Sequence, residues 1–79
     1  MPKKPVRLTF PQHLIKEPVI YRMARECEVI PNIRRAKVTE TVGEVILELE
    51  GEEDNLDKAT EYLIRLGVKV EPVEGDVIV

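Results

Sequence analysis

The chain contains no serine at all and a single cysteine, Cys27. Without serine there is no serine nucleophile. One cysteine forms no intramolecular disulfide, no four-thiolate iron–sulfur site and no structural zinc site. Such sparing cysteine use points to the cytoplasm. Long apolar runs are missing too. None approaches the roughly 20 residues of a membrane span, and the basic Met1–Pro5 stretch is not followed by an apolar signal region. No direct membrane insertion is therefore expected. A phosphate-cradling loop, a paired-glycine fingerprint and an HExxH-type metal motif are all absent, so no cofactor or metal site is expected.

What is present suits one small globule. The 79 residues make a single domain, 1–79, with a core over about 5–73 and a C-terminal tail at 74–79. A domain of this size buries roughly 60–65% of its unfolded surface, too little to enclose a deep cavity as well. Any ligand site is expected on the surface or between two copies. Charge is distributed unevenly. Residues 1–37 hold nine Lys or Arg and three Glu, whereas residues 38–79 hold three Lys or Arg and twelve Asp or Glu. Either the halves interleave in one sheet and compensate, or they form a bipolar surface that pairs with a charged partner.

Lys3 to Phe10 alternates, with Val6, Leu8 and Phe10 on one side, which predicts a half-buried strand ended by Pro11. Pro18 suits the first turn of a helix, and Ile20, Met23, Ala24 and Cys27 follow at helical spacing. A second strand is expected from about Ile33 to Glu40. Arg34 falls on its apolar parity, so either an irregularity near Arg34–Arg35 or a strand start after them is expected. Val42-Gly43 reads as a turn. Glu44 to Glu50 is the clearest strand, with Val45, Leu47 and Leu49 inward and Ile46 an apolar exception on the charged face. Glu52, Glu53 and Asp54 suit a helix start, Leu56, Ala59, Leu63 and Leu66 form its apolar stripe, and Gly67 suits its C-terminal cap. Val68 to Pro72 is the last strand.

The order βαββαβ defines an α+β, ferredoxin-like fold: a four-stranded antiparallel sheet with two helices on one face. The expected core is Val6, Leu8, Phe10, Ile20, Met23, Cys27, Val38, Val45, Leu47, Leu49, Leu56, Ala59, Leu63, Leu66, Val68 and Val70.

Catalysis finds no support in these residues. Cys27 lies on the apolar side of its helix and His13 in the connector before it, so the two do not form a nucleophile–base pair. The carboxylates are solvated strand-face and helix-start groups, and no enzyme is expected. RNA-recognition modules share this strand order but stack bases on sheet-face aromatics. Here that face is expected to carry Arg7, Thr9, Arg35, Lys37, Thr39, Ile46, Glu48, Lys69 and Glu71, none of them aromatic, so no nucleic-acid partner is expected. Arg34-Arg35, after Asn32-Ile33, is the most pointed local feature. Two arginines grip a carboxylate in fork geometry, or else answer the Glu-rich third strand across the sheet.

An ordered set of words now stands out: Val6-Arg7-Leu8-Thr9-Phe10-Pro11, Glu17-Pro18-Val19-Ile20, Asn32-Ile33, Leu47-Glu48-Leu49-Glu50-Gly51, Ala59-Thr60-Glu61-Tyr62-Leu63 and Gly67-Val68-Lys69-Val70. Together they resemble the NIL domain. The resemblance implies a module of the kind found at the end of methionine-transporter ATPases, binding methionine between paired domains. Asn32 and Ile33 match the Asn-Ile-Leu signature, with Arg34 in place of its leucine. The Asn32-Ile33-Arg34-Arg35-Ala36 version is similar to a branch that precedes iron–sulfur ferredoxin modules and is associated with sulfur assimilation into homocysteine. The resemblance thus implies a small-molecule-binding regulatory or accessory module of sulfur amino-acid metabolism or transport. Its expected ligand, methionine or a related amino acid, would meet Asn32, Ile33, Arg34 and Arg35. The alternative is a protein-interaction module that docks a ferredoxin-type electron carrier or a sulfur-transfer enzyme. A homodimer is expected, because the family pairs its domains and because Ile46 and Val77-Ile78-Val79 are apolar residues a monomer would leave wet; the competing reading is that the tail folds back as a short extra strand.

Overall fold

Alternation in the first strand and the third places their aliphatic side chains on one face, and two short helices close over it. The computed structural model describes residues 1–73. Its elements are β1 (Lys3–Phe10), a 3-10 turn (Gln12–Leu14), α1 (Val19–Cys27), β2 (Ile30–Val38), β3 (Gly43–Glu50), α2 (Glu53–Leu66) and β4 (Lys69–Pro72). The sheet order is β2-β3-β1-β4, and every neighbouring pair is antiparallel. This is the expected ferredoxin-like arrangement. The apolar tail Val77-Ile78-Val79 lies outside the described residues.

The core joins Val6, Leu8, Val45, Leu47 and Leu49 of the sheet to Met23, Cys27, Leu56, Ala59 and Leu63 of the helices. Leu47 and Leu63 are fully buried. Phe10, Ile20 and Val70 are half-buried and pack on its rim. Val19 and Val29, which the helical stripe does not include, are buried as well.

Two expected core residues are on the surface. Val38 is 59% exposed although it has the inward parity, because β2 is an edge strand from which no residue joins the core beneath the helices. Leu66 is 40% exposed because the helix ends there. Gly67, at φ 105°, turns the chain so that its N–H donates to Ile64 O and the N–H of Val68 donates to Leu63 O, both at 3.0 Å. Val68 rather than Leu66 then fills that end of the core.

Boundaries shift in β2. It begins at Ile30, not Ile33, and includes Pro31, which an edge strand tolerates. It also stops at Val38 rather than Glu40. The hairpin turns at Glu40–Thr41, not at Val42-Gly43, and Gly43 already belongs to β3. Thr39 shapes this turn: its Oγ1 accepts from the N–H of Thr41 at 3.2 Å and of Val42 at 3.0 Å.

α1 ends on a left-handed residue that is not glycine, Glu28 at φ 56°. An L side chain in this region costs about 1–2 kcal/mol, part of which glycine's extra unfolded-state entropy takes back. Glu28→Gly is therefore expected to stabilise the domain by about 0.5–1 kcal/mol in urea unfolding. A destabilised variant would mean that the Glu28 side chain contributes more than its strain.

Candidate functional site

The sheet face away from the helices carries the polar groups. Lys3, Arg7, Lys37, Arg35 and Lys69 share it with Glu44, Glu48, Glu50 and Glu71, according to the strand register. The register on β2 is broken between Ile33 and Arg35, so Arg34 is an extra residue, a β-bulge at the expected place. Before the bulge, Asn32 stands opposite Glu48. After it, Arg35 stands opposite Ile46. The bulge turns Arg34 toward the same face, where its Nη2 donates to Glu48 Oε1 at 3.1 Å. Arg34 thus does answer the Glu-rich third strand.

The pair is partly shielded, with 31% and 24% of the two side chains exposed. Nε of Arg34, on the same edge of the guanidinium as Nη2, is sealed from solvent and has no hydrogen-bond partner. Buried N–H groups are rarely left unpaired, since each costs on the order of 1–3 kcal/mol.

The four sequence candidates do not all converge. Asn32, Arg34 and Arg35 share the open face. Ile33, opposite Leu47, points the other way and is 54% exposed on the helix side. The apolar floor of the open face is Ile46, half-buried between Arg35 of β2 and Arg7 of β1. Sequence reading missed Glu48 and Ile46 as members of this cluster. The one available signal was Ile46 itself, the single apolar residue among the outward glutamates of β3.

Other groups lie elsewhere. An open cleft of about 690 Å³, lined by Gln12, His13, Lys16 and Glu40, sits at the hairpin end of the sheet. Cys27 is a buried thiol beside a groove between α1 and α2, which Glu26, Lys58, Glu61, Tyr62 and Arg65 also line. Burial, and then the Glu26 carboxylate, push the thiol's pKa up. Burial and Glu26 also raise Tyr62. Both groups hold their protons more tightly when folded. Their stabilising effect is therefore complete below the unfolded thiol's ordinary pKa, about 8.5, and is lost as pH rises through the folded values. Thermal melts from pH 7 to 11 are expected to show Tm falling above that point, and less steeply in Cys27→Ala. A flat Tm across the alkaline range would contradict both shifts.

Two helices on one side of the sheet and a polar cluster on the bare side define a small ferredoxin-like α+β domain. The NIL domain family model matches residues 4–72, and the chain belongs to that family. It is similar in structure to the C-terminal domain of an ABC transporter ATP-binding protein from Enterococcus faecalis, at a TM-score of 0.82 and 32% identity. That alignment covers 92% of this chain and 86% of the other. No curated protein matches the chain. Among the described residues, no helix is long and apolar enough to cross a membrane.

Proposed function

We propose that this NIL domain is a non-enzymatic, cytoplasmic regulatory module of sulfur amino-acid metabolism or transport, and that it binds methionine or a related amino acid on its open sheet face. The observation that carries the reading is the Arg34 bulge: a guanidinium fixed on the open face by Glu48 through Nη2, with Asn32 and Arg35 on the same face. An amino acid needs a carboxylate partner, an acceptor for its ammonium and an apolar surface for its side chain. Arg35 and the guanidinium of Arg34 suit the carboxylate, Glu48 suits the ammonium, Asn32 orients either group, and Ile46 underlies the side chain. The face is open, so a second copy of the domain would complete the enclosure, as a homodimer.

Calorimetry with methionine tests this. Heat of binding is expected for the wild-type chain and a marked loss for Asn32→Ala. Equal heats from both proteins, or none from the wild type at millimolar methionine, would remove the proposal. One feature favours the second reading, a docking module for a ferredoxin-type carrier or a sulfur-transfer enzyme. Counting Arg34, the open face holds six cations against four glutamates, in a chain whose net charge is −3. In that case free amino acids leave Tm unchanged, and an acidic protein co-purifies.

A further inference from the structure

β2 lies at the edge of the sheet and, among the described residues, has a strand partner on one side only. Edge strands are commonly blunted by proline, bulges and charge. Here the blunting is uneven. Pro31 and the Arg34 bulge spoil the first half of the strand for further pairing, but Arg35 to Val38 keeps a regular register with Ile46 to Gly43. At the hairpin mouth the N–H of Thr39 donates to Val42 O at 2.8 Å. Antiparallel bonding alternates residue by residue, so Val38 and Ala36 turn their N–H and C=O groups away from β3, toward the open edge. Their side chains face the helix side and are exposed there. The exposed Ile33 and Val38 continue that apolar ledge.

We propose that the outer edge of β2, from Arg35 to Val38, accepts an acidic extended segment of a partner protein as a fifth strand. The chemistry of the segment is read from the strand β2 already holds. β3 offers Glu-Val-Ile-Leu-Glu-Leu-Glu over residues 44–50, with Glu44 opposite Lys37 and Glu48 bonded to Arg34. A strand on the outer side meets the same pattern: Arg35 and Lys37 on the open face, Ala36 and Val38 on the other. Carboxylates alternating with aliphatic residues satisfy both. A second copy does not, because β2 contains no acidic residue and self-pairing leaves Arg35 and Lys37 unmatched. The cations that bar self-association thereby select the partner. This site uses the outer backbone edge of β2 with Lys37, Ala36 and Val38, shares only Arg35 with the open-face cluster, and does not require amino-acid binding there.

The probe is the blocked peptide Ac-EVEVEVE-NH2, with Ac-KVKVKVK-NH2 as its counterpart, titrated into the isotopically labelled full chain and followed by amide shifts and hydrogen exchange. The acidic peptide is expected to shift the Ala36 and Val38 amides, slow their exchange and bind more weakly as salt rises. Val38→Pro removes an outward donor that β3 does not use, so it keeps the fold and loses the peptide. Lys37→Glu weakens acidic-peptide binding about tenfold and admits the lysine peptide. Three results would overturn the proposal: unmoved Ala36 and Val38 amides at millimolar acidic peptide, equal binding of both peptides, or edge shifts that follow protein concentration without peptide. The last would assign the edge to a second copy.

Discussion

Leu63→Ala is expected to lower the free energy of unfolding by on the order of 2–5 kcal/mol, the largest single-residue effect anticipated here. Leu63 is fully buried on α2, within the cluster that joins both helices to the central strands. Truncation removes its apolar burial and leaves a cavity in a cluster whose other members Leu8, Leu47 and Met23 are fully buried themselves and have little freedom to fill it. A domain of this size has about 5–15 kcal/mol in total, so Tm should fall by roughly 10–30 °C. Leu66→Ala is the matched control. It belongs to the same sequence stripe but is largely exposed, and should cost well under 1 kcal/mol. Urea unfolding of both variants is the measurement. Similar losses for the two would mean that the last turn of α2 is packed as the stripe suggests.

The second large effect is expected at Gly43. This residue is buried where β3 begins, opposite Phe10 on one side and Val38 on the other. A Cβ there would stand 3.0 Å from Cγ1 of Ile15 and 3.1 Å from Cβ of Phe10. The Phe10 atom is tied to the backbone of the adjacent strand and cannot swing aside. Relief must come from Ile15, which would lift the connector after β1 off the sheet. Gly43→Ala is therefore expected to destabilise by about 1–3 kcal/mol, an overpacking cost rather than a backbone one. Gly67→Ala supplies the contrast: nothing lies within 4 Å of its Cβ position, and only its left-handed backbone is penalised. Chemical denaturation showing Gly43→Ala as stable as wild type would mean that Ile15 can move without cost.

Much of this architecture was legible before any coordinates, because β1, β3 and α2 each carry an uninterrupted period. The limits of β1 and the cap at Gly67 follow from local sequence alone. The bulge was half legible: the wrong parity of Arg34 signalled either an irregularity or a later strand start, and the chain absorbs Arg34 as an extra residue. Val38 shows where parity stops. Alternation tells which side of a strand a residue faces, but not whether a helix covers that stretch. The start of β2 was hidden by Pro31, which reads as a breaker until the strand is known to be an edge. The site was half visible. Asn32, Arg34 and Arg35 announce themselves by type and proximity. Glu48 does not, because its place opposite Asn32 is a matter of register, which local sequence does not contain.

The pairing of β1 with β4 has a mechanical consequence. Val6 pairs with Pro72, and the N–H of Val73 donates to Pro5 O at 3.3 Å, so residues 5 and 73 lie side by side at one end of the molecule. Tension applied between those two points pulls across the β1–β4 ladder rather than along it. The ladder then opens like a zip, each hydrogen bond taking the whole load in turn, and β4 peels away at low force while β1, still paired with β3, holds. A domain tethered at both of these points would yield first at its last strand, shedding one edge of the sheet while the Arg34 bulge and its neighbours on the opposite edge stay in place.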